Sequence, residues 1–255
     1  MNVYETEKLL SEYLLFHYGS AAEICPPAGA EHALDFPLRC VRECINVSSL
    51  PTRARALDLG CAVGRSTFEL ARHCEEVLGI DFSKRFVDAA SRLVESGCYE
   101  YQRTDEGNLR TTLRANVPGD IDRKRVRFEA GDAMNPRRDL GGFDVVLMAN
   151  LIDRLREPAR ALSHLACLVK AGGQLIITSP YTWLPEFTPP GNWLGGFERD
   201  GKRISSIDGL HEVLDLFFDF QAVRDLPFLI REHARKFQLS VAQASIWRRK
   251  ALAAA

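Results

Sequence analysis

Asp58, Gly60 and Gly64 are spaced D-x-G-x-x-x-G in "ALDLGCAVGRS", residues 56–66, where an apolar run ends at an acid. Glycines so placed let a ligand approach the backbone closely, and the neighbouring residue types decide which ligand. A phosphate-cradling loop of the form G-x-x-x-x-G-K-[ST] needs a lysine after its second glycine. Here Arg65 and Ser66 follow Gly64, and the glycine spacing is short. The pattern G-x-G-x-x-G needs a glycine where a pyrophosphate passes, and position 62 is alanine. The spacing fits a ligand without phosphate, whose amino-acid end carries an ammonium that Asp58 attracts while Gly60 and Gly64 admit its chain. Asp81 follows at the end of "EVLGIDFS" (76–83), roughly 20 residues past the first glycine, the place where an acid grips ribose hydroxyls. Asp132 and Ala133 close "VRFEAGDA" (126–133), placed to meet an adenine amino group and ring edge.

Three acids at the ends of three apolar runs require a scaffold that brings strand ends together. "RALDLG" (55–60), "EVLGIDFS", "VRFEAGDA", "FDVVLMAN" (143–150) and "QLIITSP" (174–180) read as buried strands. Between them, "STFELARHC" (66–74), serine-capped "SKRFVDAASRLVES" (83–96) and "EPARALSHLACLVKAGG" (157–173) read as helices. Such alternation predicts βαβ units, hence an α/β fold with a parallel sheet and helices on both faces. At the C-terminus, "FFDFQAVRDLPFLIRE" and "SVAQASIWRR" are joined by "HARKFQL", too short for a crossover helix, which predicts an antiparallel edge pair. Residues 1–45, 99–124 and 181–203 lie outside the alternation, as an N-terminal helical extension and two insertions of a single domain spanning 1–255.

Composition narrows the partners. The 255 residues are 46% hydrophobic with a formal charge of −1, enough for a large core and without a basic field for nucleic acid. Seven scattered cysteines without metal spacing read as reduced thiols, and no metal site is expected. No apolar run reaches the ~20 residues of a membrane span, and the acidic N-terminus is no signal peptide, so a soluble cytoplasmic protein is expected.

The loop, the acid after the second strand, the acid after the third and the antiparallel finish, in that order, resemble the class I S-adenosylmethionine-dependent methyltransferases. That resemblance implies a Rossmann-like seven-stranded, mostly parallel sheet whose last strand is antiparallel. It also implies S-adenosylmethionine as cofactor, leaving as S-adenosylhomocysteine, held by Asp58, Gly60, Gly64, Asp81, Phe82, Asp132, Ala133 and Asn150.

The extra segments must choose the methyl acceptor. "YETEKLLSEYLLFHYG" (4–19) has helical periodicity, and an aromatic-rich helix there would roof the cofactor. "DFPLR" (35–39) offers Phe36 as a wall and Arg39 as a carboxylate fork. "ANLIDRL" (149–155) places Asn150, Asp153 and Arg154 near the expected methyl position, and "SPYTW" (179–183) adds Tyr181 and Trp183. Together these suit a small zwitterionic ring compound. "YETEKLLSEYLLFHYG", "LDLGCAVGRSTFEL", "ANLIDRL", "TSPYTWLPEFTP", "WLGGF" and "IREHARKFQ" resemble over nearly the whole chain the 5-thiohistidine (4-mercaptohistidine) N-methyltransferase family of ovothiol biosynthesis. In that family the methyltransferase usually follows an iron-dependent part that joins cysteine to histidine. Here it stands alone, implying a separate iron-dependent enzyme that forms thiohistidine or, in a related pathway, selenohistidine.

The resemblance implies transfer to an imidazole nitrogen with the chalcogen held away. Its site would use Arg39 or Arg154 for the carboxylate, Asp153 for the ammonium and Asn150 or a tyrosine such as Tyr13 for the ring. His17 would be the proton acceptor. Two other classes remain open: a methyltransferase acting on another small molecule or a protein histidine, and a non-catalytic subunit that binds the cofactor only.

Overall fold

The computed structural model describes residues 3–26 and 29–251. The N-terminal segment forms α1 (Glu7–Tyr18), α2 (Ala21–Ile24) and α3 (Phe36–Arg42). Thr6 caps α1 by accepting from the Leu9 amide, and Ser20 with Glu23 forms a capping box that opens α2. Then come β1 (Arg55–Leu59), α4 (Arg65–Leu70), β2 (Glu76–Asp81), α5 (Lys84–Ser96), β3 (Cys98–Glu106), β4 (Leu109–Asn116), β5 (Val126–Ala130) and β6 (Phe143–Ala149). The chain finishes with α6 (Pro158–Leu165), β7 (Val169–Ser179), β8 (Phe197–Arg199), β9 (Lys202–Ile204), α7 (Ser206–Leu214), β10 (Phe218–His233) and β11 (Lys236–Arg249).

Seven strands form one sheet in the order β10-β11-β7-β6-β1-β2-β5. β11 runs antiparallel to both neighbours, and the remaining pairs are parallel. The strand order reverses direction between β1 and β6, so the ends of β1, β2, β5 and β6 converge at the crevice where open α/β sheets take ligands. Alternation along the strands divides the core: Ala56, Val145 and Leu147 face the layer containing α1, α3, α4 and α5, while Leu57, Leu59, Val146 and Met148 face α6 and α7.

Several expected boundaries move. The helix after β1 stops at Leu70 rather than 74, and the one expected over 157–173 stops at Leu165. Val169 already pairs with Phe143 of β6, and Gly172, at φ 76°, takes up a register irregularity that lets β7 continue to Ser179. "HARKFQL" is no separate connector. β10 and β11 pair from Phe218↔Arg249 to His233↔Lys236, whereas β11 pairs with β7 only over Gln243–Arg248. The far half of this hairpin therefore overhangs the carboxyl ends of the parallel strands. Residues 99–124 contain most of a second hairpin, β3–β4, whose Asp105 carbonyl accepts from the Ala234 amide at the overhanging tip. This assigns the polar insertion to the roof support. No helix among the described residues is long and apolar enough to cross a membrane.

Candidate active site

The loop after β1 is shaped by backbone that side chains tolerate poorly. Gly60 and Gly64 have φ of 78° and 83°, and Ala62 lies between them at 47°. A Cβ at Gly64 would collide with the ring of Phe128 on β5, so glycine is required there for space as well as for conformation. The Ala62 amide donates to Asp81 Oδ2 at 2.8 Å, and the Ser83 amide donates to Asp81 Oδ1 at 2.8 Å. Asp81 thus holds the glycine loop against the end of β2 while facing a cavity of about 450 Å³. Burial raises its pKa, opposed by those amides. Asp132 is oriented in the same manner, accepting from the Met134 amide at 2.8 Å and from Asn135 Nδ2 at 2.9 Å.

Gly60, Asp81, Phe82, Asp132, Ala133 and Asn150 all line that cavity. Phe82, 70% exposed, leaves an open ring face at its rim. Asn150 sits in the left-handed region at φ 52°, and its Oδ1 accepts from Thr178 Oγ1 at 3.1 Å.

Two residues of the expected cofactor set stand behind this wall. Gly64 supports α4 and packs against Phe128. Asp58 is fully buried, with Oδ2 accepting from Ser66 and Thr67 hydroxyls at 2.7 Å each. Among the described residues its Oδ1 has no hydrogen-bond partner, and burial raises its pKa to about 6. An unpaired carboxylate oxygen behind the glycine loop suits a cationic amino-acid end, as S-adenosylmethionine carries, and disfavours a pyrophosphate.

The roof comes from outside the βαβ core. Tyr4, Tyr13, Phe16 and His17 of the N-terminal segment, Phe36 of α3, Phe187 of the 181–203 segment and Phe228 of the overhanging hairpin line the same cavity, with Phe86 of α5. The rings touch in sequence: Tyr13–Phe86 centroids are 4.8 Å apart, Phe36–Phe228 4.9 Å, and Phe16 stacks on Phe36 at 6.0 Å. His17 is buried among them. Among the described residues its Nδ1 has no partner, and burial, aided by Arg65, lowers its pKa to about 3, so the ring is neutral.

Arg154 lies on the cavity wall, 5.0 Å from the Phe187 centroid, and donates from Nη1 to Asp153 Oδ2 at 2.9 Å.

Four acceptor-side expectations are corrected. Arg39 does not reach the cavity: it donates to Glu43 at 2.6 Å and to the His32 and Pro227 carbonyls at 3.0 Å, tying α3 to β10. Asp153 is buried behind Arg154 and also accepts from the Thr182 amide at 3.1 Å. Tyr181, turned by a φ of 52°, donates its hydroxyl to Gln243 at 3.0 Å, and Trp183 donates to Ser206 at 2.9 Å; both pack on the α6–α7 side. The 181–203 segment reaches the cavity through Phe187 instead. Phe86, Phe187 and Phe228 were missed because nothing in their local spacing separates a cavity ring from a core ring. Phe228 is legible only once the hairpin is known to overhang.

Residues 57–175 match the family described as "Methyltransferase domain". The chain is 23% identical over 123 residues to the ubiquinone biosynthesis O-methyltransferase of Coxiella burnetii (strain RSA 493 / Nine Mile phase I), covering 48% of this chain and 42% of that protein. It therefore spans well under two thirds of that relative's length. The magnesium-protoporphyrin O-methyltransferase of Rhodobacter capsulatus is 26% identical over 159 residues, 58% of this chain and 59% of that one. In fold, the chain is similar to the N-methyltransferase NodS from Bradyrhizobium japonicum WM9 in complex with S-adenosylhomocysteine, with TM-score 0.51, 15% identity and 84% and 83% coverage. A SAM-dependent methyltransferase structure from Methanosarcina mazei aligns with TM-score 0.53, 15% identity, 80% of this chain and 96% of that chain. The fold is the Rossmann-like class I methyltransferase fold. Residues 57–175 are thus similar to methyltransferase domains, and NodS, which shares the fold, holds S-adenosylhomocysteine.

Proposed function

We propose that the chain transfers a methyl group from S-adenosylmethionine to an imidazole nitrogen of 5-thiohistidine or 5-selenohistidine. The observation that carries this reading is the aromatic enclosure around neutral His17, beside the cofactor loops. Most of it is built from residues 1–45 and 181–203, the segments that carry the thiohistidine-methyltransferase resemblance.

When bound, S-adenosylmethionine supplies an electrophilic methyl carbon on a sulfonium. The aromatic faces exclude water and stabilise that positive charge. One imidazole nitrogen forms the new N–C bond with its lone pair, the S–C pair stays on sulfur, and the proton of the other ring nitrogen is released. The His17 ring, which lines the cavity, accepts a hydrogen bond from that second N–H, which aims the first nitrogen at the methyl group. With a pKa near 3, His17 orients that N–H without taking its proton, which the methylated ring gives up to solvent as the product leaves. Arg154, with Arg39 turned away, takes the carboxylate and keeps the softer chalcogen off the line of attack.

A second reading is another small flat acceptor, as the names of the O-methyltransferase relatives suggest. A cavity of about 450 Å³ shared with the cofactor favours a single ring over a tetrapyrrole.

The test is an assay with 5-thiohistidine, 5-selenohistidine and histidine, locating the new methyl by NMR. Ring N-methylation of a chalcogen-bearing substrate is expected, with histidine poor. Cofactor binding without transfer to any of the three, or transfer to the chalcogen, overturns the reading.

A further inference from the structure

Arg154 and Arg156 are the charged side chains that the loop after β6 brings to the cavity, and no described acid lines the cavity beside them. The acids that do line it, Asp81 and Asp132, belong to the cofactor loops, and amides and Asn135 orient their oxygens. Asp153 is the acid next to Arg154, while Glu157, which follows Arg156, pairs with Arg160 at 3.2 Å and does not line the cavity. Asp153 is 1% exposed and is committed to Arg154 and the Thr182 amide, so the guanidinium faces the cavity and the carboxylate backs it. Arg156 is exposed at the rim, and among the described residues its guanidinium has no ion-pair partner. An amino-acid acceptor brings one carboxylate and one ammonium, and this wall offers a charged partner to the first alone.

We propose that the acceptor is recognised as an anion: Arg154 and Arg156 together grip its carboxylate, and its amino group remains unread at the solvent end of the cavity. This rests on the methyltransferase reading of the same cavity. An arginine fork matches a carboxylate with two parallel hydrogen bonds, whereas an ammonium buried without a partner is costly. The carboxylate is therefore drawn toward the rim, where Arg156 stands, and the ammonium beside it stays in water. The acceptor class is a small imidazole carrying a carboxylate side arm, with or without an amine.

The experiment compares 5-thiohistidine with its N-acetyl derivative, its des-amino analogue and 5-thiohistamine, which lacks the carboxylate. The first three are expected to be methylated with kcat/KM values within about threefold, and the last to fall by roughly 10–100-fold, the loss of a charge-assisted contact. Arg156→Gln should raise KM for carboxylate-bearing acceptors about tenfold with kcat unchanged, and leave 5-thiohistamine unaffected. Loss of activity on removing the amine, or equal use of 5-thiohistamine, overturns the proposal. If no thioimidazole is methylated, the functional reading has failed separately. Calorimetry on protein saturated with S-adenosylhomocysteine, using imidazole-4-propionate and histamine as probes, then still decides. Binding of the carboxylate alone upholds the inference; binding of the amine, or of neither, overturns it.

Discussion

Tyr18, the last residue of α1, donates its hydroxyl to the carbonyl oxygen of Val63 at 2.8 Å, tying the aromatic roof directly to the glycine loop. The ring also lies 5.9 Å from the guanidinium carbon of Arg65, the first residue of α4. Helix, loop and α4 thus share one contact, and the roof is positioned by the same backbone that admits the cofactor. Tyr18→Phe keeps the ring and removes the hydrogen bond, leaving a carbonyl without its partner. A loss of about 1–2 kcal/mol in stability is expected, with faster amide exchange in α1 and a raised KM for S-adenosylmethionine. Unchanged exchange in α1 together with unchanged KM would show that the tie does not couple roof to loop.

Gly64→Ala tests the space claim. The added methyl meets Phe128 on β5 and must adopt a positive φ, so cofactor binding should fall by roughly 100-fold or more and stability by about 2–4 kcal/mol. Shrinking the partner separates the two causes. Gly64→Ala with Phe128→Ala should recover part of the binding, because the clash goes while the φ strain stays. A double variant as weak as the single one assigns the whole effect to the backbone.

The parts of this molecule that sequence makes legible are those with local signals. The order of strands, the D-x-G-x-x-x-G loop and the acids after β2 and β5 are short-range patterns, and the sheet has the expected strands in the expected sense. The acceptor side was legible by segment and only in part by residue: Tyr13, His17, Phe36, Asn150 and Arg154 line the cavity, whereas Arg39, Asp153, Tyr181 and Trp183 do not. Arg39 was expected as a fork, yet Glu43 lies four residues on along the same helix and captures it. Tyr181 and Trp183 follow β7 closely, but the left-handed turn at 181 sends both rings to the opposite layer. Phe228 reaches the cavity through a pairing register that runs beyond the sheet, and no local spacing encodes that.

Asp58 carries a pH signature. Its folded pKa, about 6, lies above the ordinary 3.8 because the carboxylate is buried. A raised acid contributes stability fully below its unfolded pKa and loses it as pH rises through about 6, so the ionised group costs about 3 kcal/mol at neutral pH. Asp58→Asn, which keeps an acceptor for Ser66 and Thr67, should therefore be more stable than the wild type at pH 7, with the gain fading toward pH 4. A cationic ligand behind the loop offsets that cost. Wild-type affinity for S-adenosylmethionine should weaken about tenfold per pH unit below 6, while the asparagine variant binds weakly at every pH. Calorimetry across that range decides, and a variant that binds as tightly as wild type with the same pH profile removes Asp58 from the site.

His17 titrates in the opposite sense. Burial lowers its pKa to about 3, so the stability it contributes is complete above the unfolded value of 6.5 and is lost as pH falls toward 3, at about 1.4 kcal/mol per unit. His17→Gln, with an amide oxygen as acceptor, should flatten the acid side of the stability profile. The kinetic consequence is sharper. A neutral imidazole that accepts a hydrogen bond contributes no ionisation of its own to kcat/KM between about pH 5.5 and 8, whereas a matched general base would. His17→Leu is expected to lower kcat roughly 10–100-fold through loss of that one contact, and His17→Gln to restore much of it. An inflection near pH 6.5 that disappears in the glutamine variant would mean that His17 takes the proton itself, and its assignment as an orienting acceptor would be wrong.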